Sequence, residues 1–149
     1  MDKHATNAKR FTMIVAVHLL LVKGTEVLLA RRYNTGYEDG NYSVPAGHVE
    51  ENESCIDAMI REAKEEVGIF LQPEDISLVH VMHRKTDRES IDFFFACSTW
   101  TGMPTINEPD KCDELRWSDI DDLPRNTIGY IRQAIDAYTR KEIYSQLGI

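Results

Sequence analysis

The chain reads as an α/β fold, a layered domain with a mixed central sheet, in the order strand, strand, helix, strands, helix. Two segments carry that reading. Residues 12–22 (TMIVAVHLLLV) are almost continuously apolar and β-branched, as a strand buried on both faces must be. In residues 54–67, Ile56, Met59, Ile60, Ala63 and Val67 fall in one arc at about 100° per residue, the stripe of a helix packed on one side. With 149 residues, 42% of them apolar, the chain suits one core.

Residues 1–10 are polar and are expected to fray, leaving 11–149 as one domain. Lys9 and Arg10 ahead of an apolar run resemble the start of a signal peptide. His18 interrupts that run, Lys23-Gly24 ends it, and no small-residue cleavage site follows. The run is also too short to span a bilayer, so the expectation is a strand, no membrane segment and a cytoplasmic protein.

Lys23-Gly24-Thr25 reads as a turn and EVLLARR (26–32) as the second strand of a hairpin. The stretch YNTGYEDGNYSVPAG (33–47) is a long loop, and long loops inside compact domains tend to be functional. Ser54, with Asp57 three residues on, resembles a capping box that opens the helix; Gly68 closes it. Strands follow near 76–84 and 91–98, with the charged turn KTDRES between them. TGMPTINEPDKCDE is a polar loop, ELRWSDI a short strand and DDLP a turn. A final amphipathic helix is expected over 127–146, with Ile128, Ile131, Ile135 and Tyr138 on one side. There are no internal repeats or low-complexity tracts.

A net charge of −8 excludes the basic stripe of a protein that tracks a nucleic-acid polymer. Small phosphorylated molecules remain possible partners if a metal bridges two negative surfaces. Cys55, Cys97 and Cys112 form no CxxC pair and read as reduced thiols.

The chemistry concentrates in GHVEENESCIDAMIREAKEEVGI, residues 47–69. Glu62, Glu65 and Glu66 stand at i, i+3 and i+4, away from the apolar stripe, and like-charge pairs at that spacing cost roughly 0.2–0.5 kcal/mol each. A hard divalent cation, which takes oxygen ligands, would offset that repulsion. Arg61 lies within helical reach of Glu65 and has a fork suited to carboxylate. The alternative is a solvated acidic face with an ordinary salt bridge, which stabilises little.

The spacing favours the first reading. Gly47, five residues, Glu53, seven residues, then Arg61-Glu62-Ala63-Lys64-Glu65-Glu66-Val67-Gly68-Ile69 resembles the signature of the Nudix hydrolases at every fixed position. The Pro-Ala-Gly entry, the later Glu-containing loop and Leu123-Pro124 extend the resemblance over about residues 11–140.

That resemblance, to the MutT-like branch, implies a Nudix-type α/β/α sandwich. It implies hydrolysis of a phosphoanhydride bond in a nucleoside tri- or diphosphate, dependent on Mg²⁺ or Mn²⁺, releasing a nucleoside monophosphate. Carried over by position, Glu62, Glu65 and Glu66 would hold metal with the carbonyl near Gly47, and Arg61 would orient Glu62. Glu53 would support the cluster, Gly68 would end the helix, and the general base would be Glu62 ahead of Glu65. A further metal glutamate would be Glu108, with Glu114 second. The substrate would be a small nucleotide, and the protein a monomer or homodimer.

Arg31, Arg32 or Arg84 could meet phosphate, and strand alternation lets only one of the first two face the site. Tyr37, with Tyr33 and Tyr42, could stack on a base, and His48 and His83 stand near enough in sequence to contribute. His18 and His80 read as satisfied core histidines. Asn126 after Leu123-Pro124-Arg125 lies near the asparagine that contacts the base in MutT-like relatives, shifted by about one residue. No SQPWPFPxS-like stretch of NADH pyrophosphatases is present, nor a proline about fifteen residues past the box as in ADP-ribose hydrolases. Nucleotide-sugar or ADP-ribose hydrolysis is therefore the alternative, and a non-catalytic nucleotide sensor the third reading.

Overall fold

A computed structural model describes residues 9–149, so most of the expectation for residues 1–10 lies outside the described residues. Its strands are β1 (Ile14–Lys23), β2 (Glu26–Arg32), β3 (Tyr42–Ser43), β4 (Ala46–His48), β5 (Ser77–Lys85), β6 (Glu89–Cys97), β7 (Cys112–Asp119) and β8 (Tyr144–Leu147). Its α-helices are α1 (Cys55–Val67) and α2 (Gly129–Thr139). The strands form one mixed sheet in the order β3-β2-β1-β6-β5-β8, with β4 paired to β1 and β7 to β2.

β1 is the hinge of this arrangement. It runs parallel to β6 from Ile14 to Leu21, antiparallel to β4, and meets β2 only at Val22↔Val27 and Lys23↔Glu26. Side chains of a strand alternate between faces. Val17, Leu19 and Leu21 accordingly pack with Met59, Ala63 and Val67 of α1, whereas Leu20 packs with Phe94, Met82, Ile131 and Ile135 on the α2 side. Two cores with one sheet between them give the α/β/α layering.

The caps of α1 match the sequence. Ser54 Oγ accepts the Asp57 N–H at 3.0 Å, and Gly68 sits at φ 69°, where only glycine is unstrained. The packing stripe differs in one place. Ile56 is 39% exposed, and Ala58 takes its place in a buried line with Met59, Ala63 and Val67. Alanines on that line let the helix lie close to β1.

Two expectations are corrected. The ordered 33–47 stretch is not loop throughout: β3 lies within it and β4 begins in it, paired to β2 and β1 respectively. The last helix does not run over 127–146. It stops at Thr139, Lys141 turns at φ 59°, and Tyr144–Leu147 becomes a strand parallel to β5. The edge of β5 offers unpaired N–H and C=O groups to this segment, and that pairing overrides its modest helical periodicity.

Candidate active site

α1 points Glu62, Glu65 and Arg61 past its packed face, and Glu53 reaches them from the loop before it. Arg61 forks onto Glu53, with Nε to Oε2 at 2.7 Å and Nη2 to Oε1 at 3.0 Å. Its Nη1 donates to Glu62 Oε1 at 2.7 Å and to Glu65 Oε2 at 3.3 Å, and Nη2 also reaches the His48 carbonyl at 3.0 Å. One cation thus ties the helix, the preceding loop and the end of β4 together, and a guanidinium alone has enough donors for that.

Glu53 is held well below the ordinary carboxylate range, at about 2, by its Arg61 bonds first and by the Glu50 backbone N–H second. A carboxyl with a depressed folded value adds stability above its unfolded value and loses it as pH falls toward the folded one. Glu53 should therefore stabilise the fold above about pH 4.5 and cease to do so between about 4.5 and 2. Burial raises Glu62 and Glu66 instead, so their contributions run the other way. The melting temperature should fall more steeply below pH 4.5 in the native chain than in Glu53→Gln; parallel curves would contradict the role of the fork.

Gly47 explains how Glu62 can lie where it does. A Cβ built on Gly47 would overlap the Glu62 carboxyl carbon and one of its oxygens. Absence of a side chain at position 47 therefore brings a carboxylate against the backbone of β4. One residue earlier, the Ala46 N–H donates to Glu66 Oε2 at 3.0 Å. Burial pushes Glu66 up to about 8; the Ala46 bond opposes this, and the charges of Glu62 and Glu108 add to it. Two raised carboxyls, Glu62 and Glu66, with the charge of Glu108 beside them, are the kind of acidic grouping a cation would relieve.

Glu108 is placed by the loop that caps α1. Asn107 N–H donates to Glu66 O at 3.1 Å, its side-chain amide to Lys64 O at 3.2 Å, and Thr105 N–H to Val67 O at 3.0 Å. The next residue then lines a cleft with Glu66, Arg31, Arg32, Thr35 and Lys111. Glu114 lies apart, accepting from Tyr42 Oη at 2.8 Å and pairing with Arg31 at 3.1 Å.

Both arginines at the end of β2 line this cleft, contrary to strict alternation, at the point where β7 carries an extra residue, Asp113, against them. They differ in charge balance. Arg31 is neutralised by Asp113 at 2.7 Å and Glu114 at 3.1 Å, whereas Arg32 donates to neutral oxygens, Tyr37 O at 2.7 Å and Thr35 Oγ1 at 3.1 Å. The Thr35–Asp39 loop that supplies these oxygens is braced from within: the Asp39 carboxylate accepts from the backbone N–H groups of Thr35 and Gly36, both at 2.9 Å.

Tyr37 lines a second cleft with Arg32, Gly47, His48 and Arg84. Tyr42 is buried under its bond to Glu114, and Tyr33 is half exposed on the surface. Asn126 donates its amide to Gly40 O at 2.8 Å, so its side chain fastens the loop after β2. His83 is paired with Glu89 at 2.8 Å. His80 is satisfied by Glu142 O and Ser145 Oγ, but His18 is not, having one partner, Asp92.

The backbone partner of Glu66, the Asn107 cap and the Asp39-braced loop have no motif in the sequence. Asp92, set among apolar residues in the strand SIDFFF, is a visible signal of a buried polar group that the motif reading passes over.

Comparisons with known proteins bear on the fold and the family. The family model described as NUDIX domain matches residues 12–138. A relative with the name NAD-capped RNA hydrolase NudC, from Pseudomonas putida (strain GB-1), is 30% identical over 127 residues, 84% of this chain but 44% of the relative. Another of that name, from Pseudomonas syringae pv. tomato, is 32% identical over 106 residues, 71% of this chain and 36% of the relative. The chain thus spans less than half the length of these relatives. Among solved structures, a MutT NUDIX hydrolase from Burkholderia pseudomallei superposes with a TM-score of 0.78 at 26% identity, covering 85% of this chain and 98% of that one. A bifunctional NMN adenylyltransferase/ADP ribose pyrophosphatase from Francisella tularensis, complexed with AMP and an Mn ion, gives 0.69 at 21%, covering 90% and 43%. With the signature of residues 47–69 folded as a loop and helix over β4, and the family model matched along most of its length, the chain belongs to the Nudix family.

Proposed function

We propose that this domain hydrolyses a phosphoanhydride bond of a free nucleoside tri- or diphosphate, releasing a nucleoside monophosphate, with Mg²⁺ or Mn²⁺. The observation that carries the proposal is the approach of Glu62 to Gly47 beside Glu66, whose cleft Arg32 shares. Glu66, Glu108 and Arg32 line one cleft, which supports a reading in which carboxylates hold metal and Arg32 meets phosphate.

The donor set fits a hard divalent ion. Glu62, Glu65, Glu66 and Glu108 supply oxygen only, and burial first, with the neighbouring carboxylates adding to it, raises Glu62 and Glu66. Glu62 and Glu65 are turned onto Arg61, and among the described residues no three acidic, His or Cys groups close on one point. Glu62, Glu65, Glu66 and the backbone near Gly47 would hold the ion, with Glu108 completing the set. Bound there, it would lower the pKa of an attacking water and neutralise phosphate charge.

The chain's own groups do the rest. Arg61 orients Glu62 through its 2.7 Å bond while Glu53 fixes Arg61. Glu62, desolvated against β4, is the general base that takes the water proton. Arg32 holds a substrate phosphate, and the Asp39-braced loop keeps it there without reorganisation.

The names of the Pseudomonas relatives support a second reading, hydrolysis of an NAD-type dinucleotide or an NAD-capped RNA end. The net charge of −8 favours free nucleotides over polymer. We also propose that the protein is cytoplasmic; among the described residues no helix is long and apolar enough to cross a membrane. Nucleoside triphosphates, diphosphates, ADP-ribose, NAD and nucleotide sugars should be offered with Mg²⁺ and the products identified. Nucleoside monophosphate from a tri- or diphosphate is expected; turnover of NAD alone would overturn this reading in favour of the second.

A further inference from the structure

The second cleft lies on the α2 side of the sheet and shares Arg32 and Ala46 with the first. Its lining includes His18, Tyr37, Arg84, Arg88 and Tyr130. Beneath it is a buried polar group that nothing in the hydrolytic site uses. Asp92 is 0% exposed, Arg84 4% and His18 3%. Arg84 Nε donates to Asp92 Oδ2 at 2.8 Å and Nη2 to Oδ1 at 3.4 Å. Ser90 Oγ donates to both Asp92 oxygens, and His18 Nε2 meets Oδ1 at 3.1 Å. Burying ions in this way seldom stabilises a fold over apolar packing, so the arrangement asks for a function.

The donor count suggests one. A guanidinium has five N–H groups. Asp92 takes two from Arg84 and Thr86 Oγ1 takes one, at 3.0 Å. Two remain, held in one plane because the guanidinium stacks on Tyr130, 3.8 Å from the ring centre. The charge is already balanced by Asp92, with Asp87 a further 4.0 Å from Nη1. A neutralised fork attracts phosphate weakly but still donates to neutral acceptors, the opposite of Arg32. Next to it, His18 Nδ1 is buried and has no hydrogen-bond partner among the described residues. The His18 ring is fixed by stacking on Phe94, 4.5 Å between centroids at 14°.

We propose that this cleft receives the base of the substrate and that Arg84 is its specificity-determining residue, reading a base edge with two neighbouring acceptors. The inference rests on the nucleotide-hydrolase reading above. Guanine and hypoxanthine show such an edge at O6 and N7, and cytosine at O2 and N3. Adenine sets a donor beside N7, and uracil separates its two carbonyls with an N–H. Phosphate on Arg32, at the junction of the clefts, and base on Arg84 would place the anhydride beside Gly47.

The test compares GTP, CTP, ATP and UTP, with Mg²⁺, on the native chain and on Arg84→Met. GTP or CTP should exceed ATP and UTP in kcat/KM by about tenfold or more, the value of one good bidentate contact. In Arg84→Met the gap should close, through KM more than kcat. Because that variant leaves Asp92 unpaired, the native chain is also given the deaza analogue of its preferred base, 7-deaza-GTP or 3-deaza-CTP. Loss of one acceptor should raise KM about tenfold with no change to the protein. Preference for ATP or UTP, or equal KM for parent and deaza nucleotide, would overturn the inference while leaving hydrolysis intact. No turnover of any nucleotide would instead overturn the reading on which it rests.

Discussion

Glu66→Gln should lose at least about 10²-fold in turnover while melting at a higher temperature than the native chain when metal is chelated. Both effects come from one environment. Glu66 accepts the Ala46 N–H at 3.0 Å and is otherwise desolvated among like charges, so burial and Glu62 push it up to about 8. A carboxyl raised in the folded state destabilises it increasingly as pH rises from its unfolded value toward the folded one, so the cost is present at neutral pH. Glutamine keeps the shape and can still accept from Ala46, but carries no charge. Removing a carboxyl that folding desolvates and forces toward its neutral form should gain about 1–3 kcal/mol, roughly 2–10 °C for a domain of this size. The same exchange removes an anionic ligand. Melting with and without Mg²⁺, beside initial rates, separates the two; a variant that melts lower and turns over normally would remove Glu66 from the site.

Gly47→Ala should be nearly as damaging to activity for a different reason. The new Cβ has to occupy the space of the Glu62 carboxyl, so either the side chain rotates away or β4 moves from α1. Overpacking of that kind costs about 1–3 kcal/mol, and displacing a reacting group by an ångström can cost about 10²-fold in rate. Glu62→Asp in the Gly47→Ala background withdraws the carboxyl by one methylene. The double variant should regain melting temperature without regaining activity. If Gly47→Ala alone kept native kcat, the approach of Glu62 to β4 would have no part in the chemistry.

These residues also mark where the sequence was legible. The period of 3.6 residues, the Ser54 cap and Gly68 set α1 and its acidic face, because each is a local rule acting within one turn. The double burial of β1 was likewise legible as unbroken apolar sequence. What local rules miss is pairing at a distance. Tyr144–Leu147 became a strand because the edge of β5 was open to it, and no residue between 139 and 147 encodes that edge. Arg31 and Arg32 share a cleft where β7 bulges at Asp113 against the end of β2, a pairing feature that alternation along one strand does not carry. Glu66 looked like one of three equivalent acids on a helix face, yet it alone binds a backbone N–H of β4 and is deeply desolvated. Only the folded sheet distinguishes it. His18 reads in the sequence as an ordinary core histidine, whereas in the fold it meets the Asp92 carboxylate and its Nδ1 has no hydrogen-bond partner among the described residues.

The central claim is that these carboxylates work by holding a divalent ion for phosphoanhydride cleavage. Its most direct measurement is nucleoside monophosphate release by protein stripped with chelator, then titrated with Mg²⁺ or Mn²⁺. Turnover should be absent without the ion, return saturably on addition, and fail to return in Glu66→Gln at the same metal concentration. Undiminished turnover in excess chelator would contradict the account.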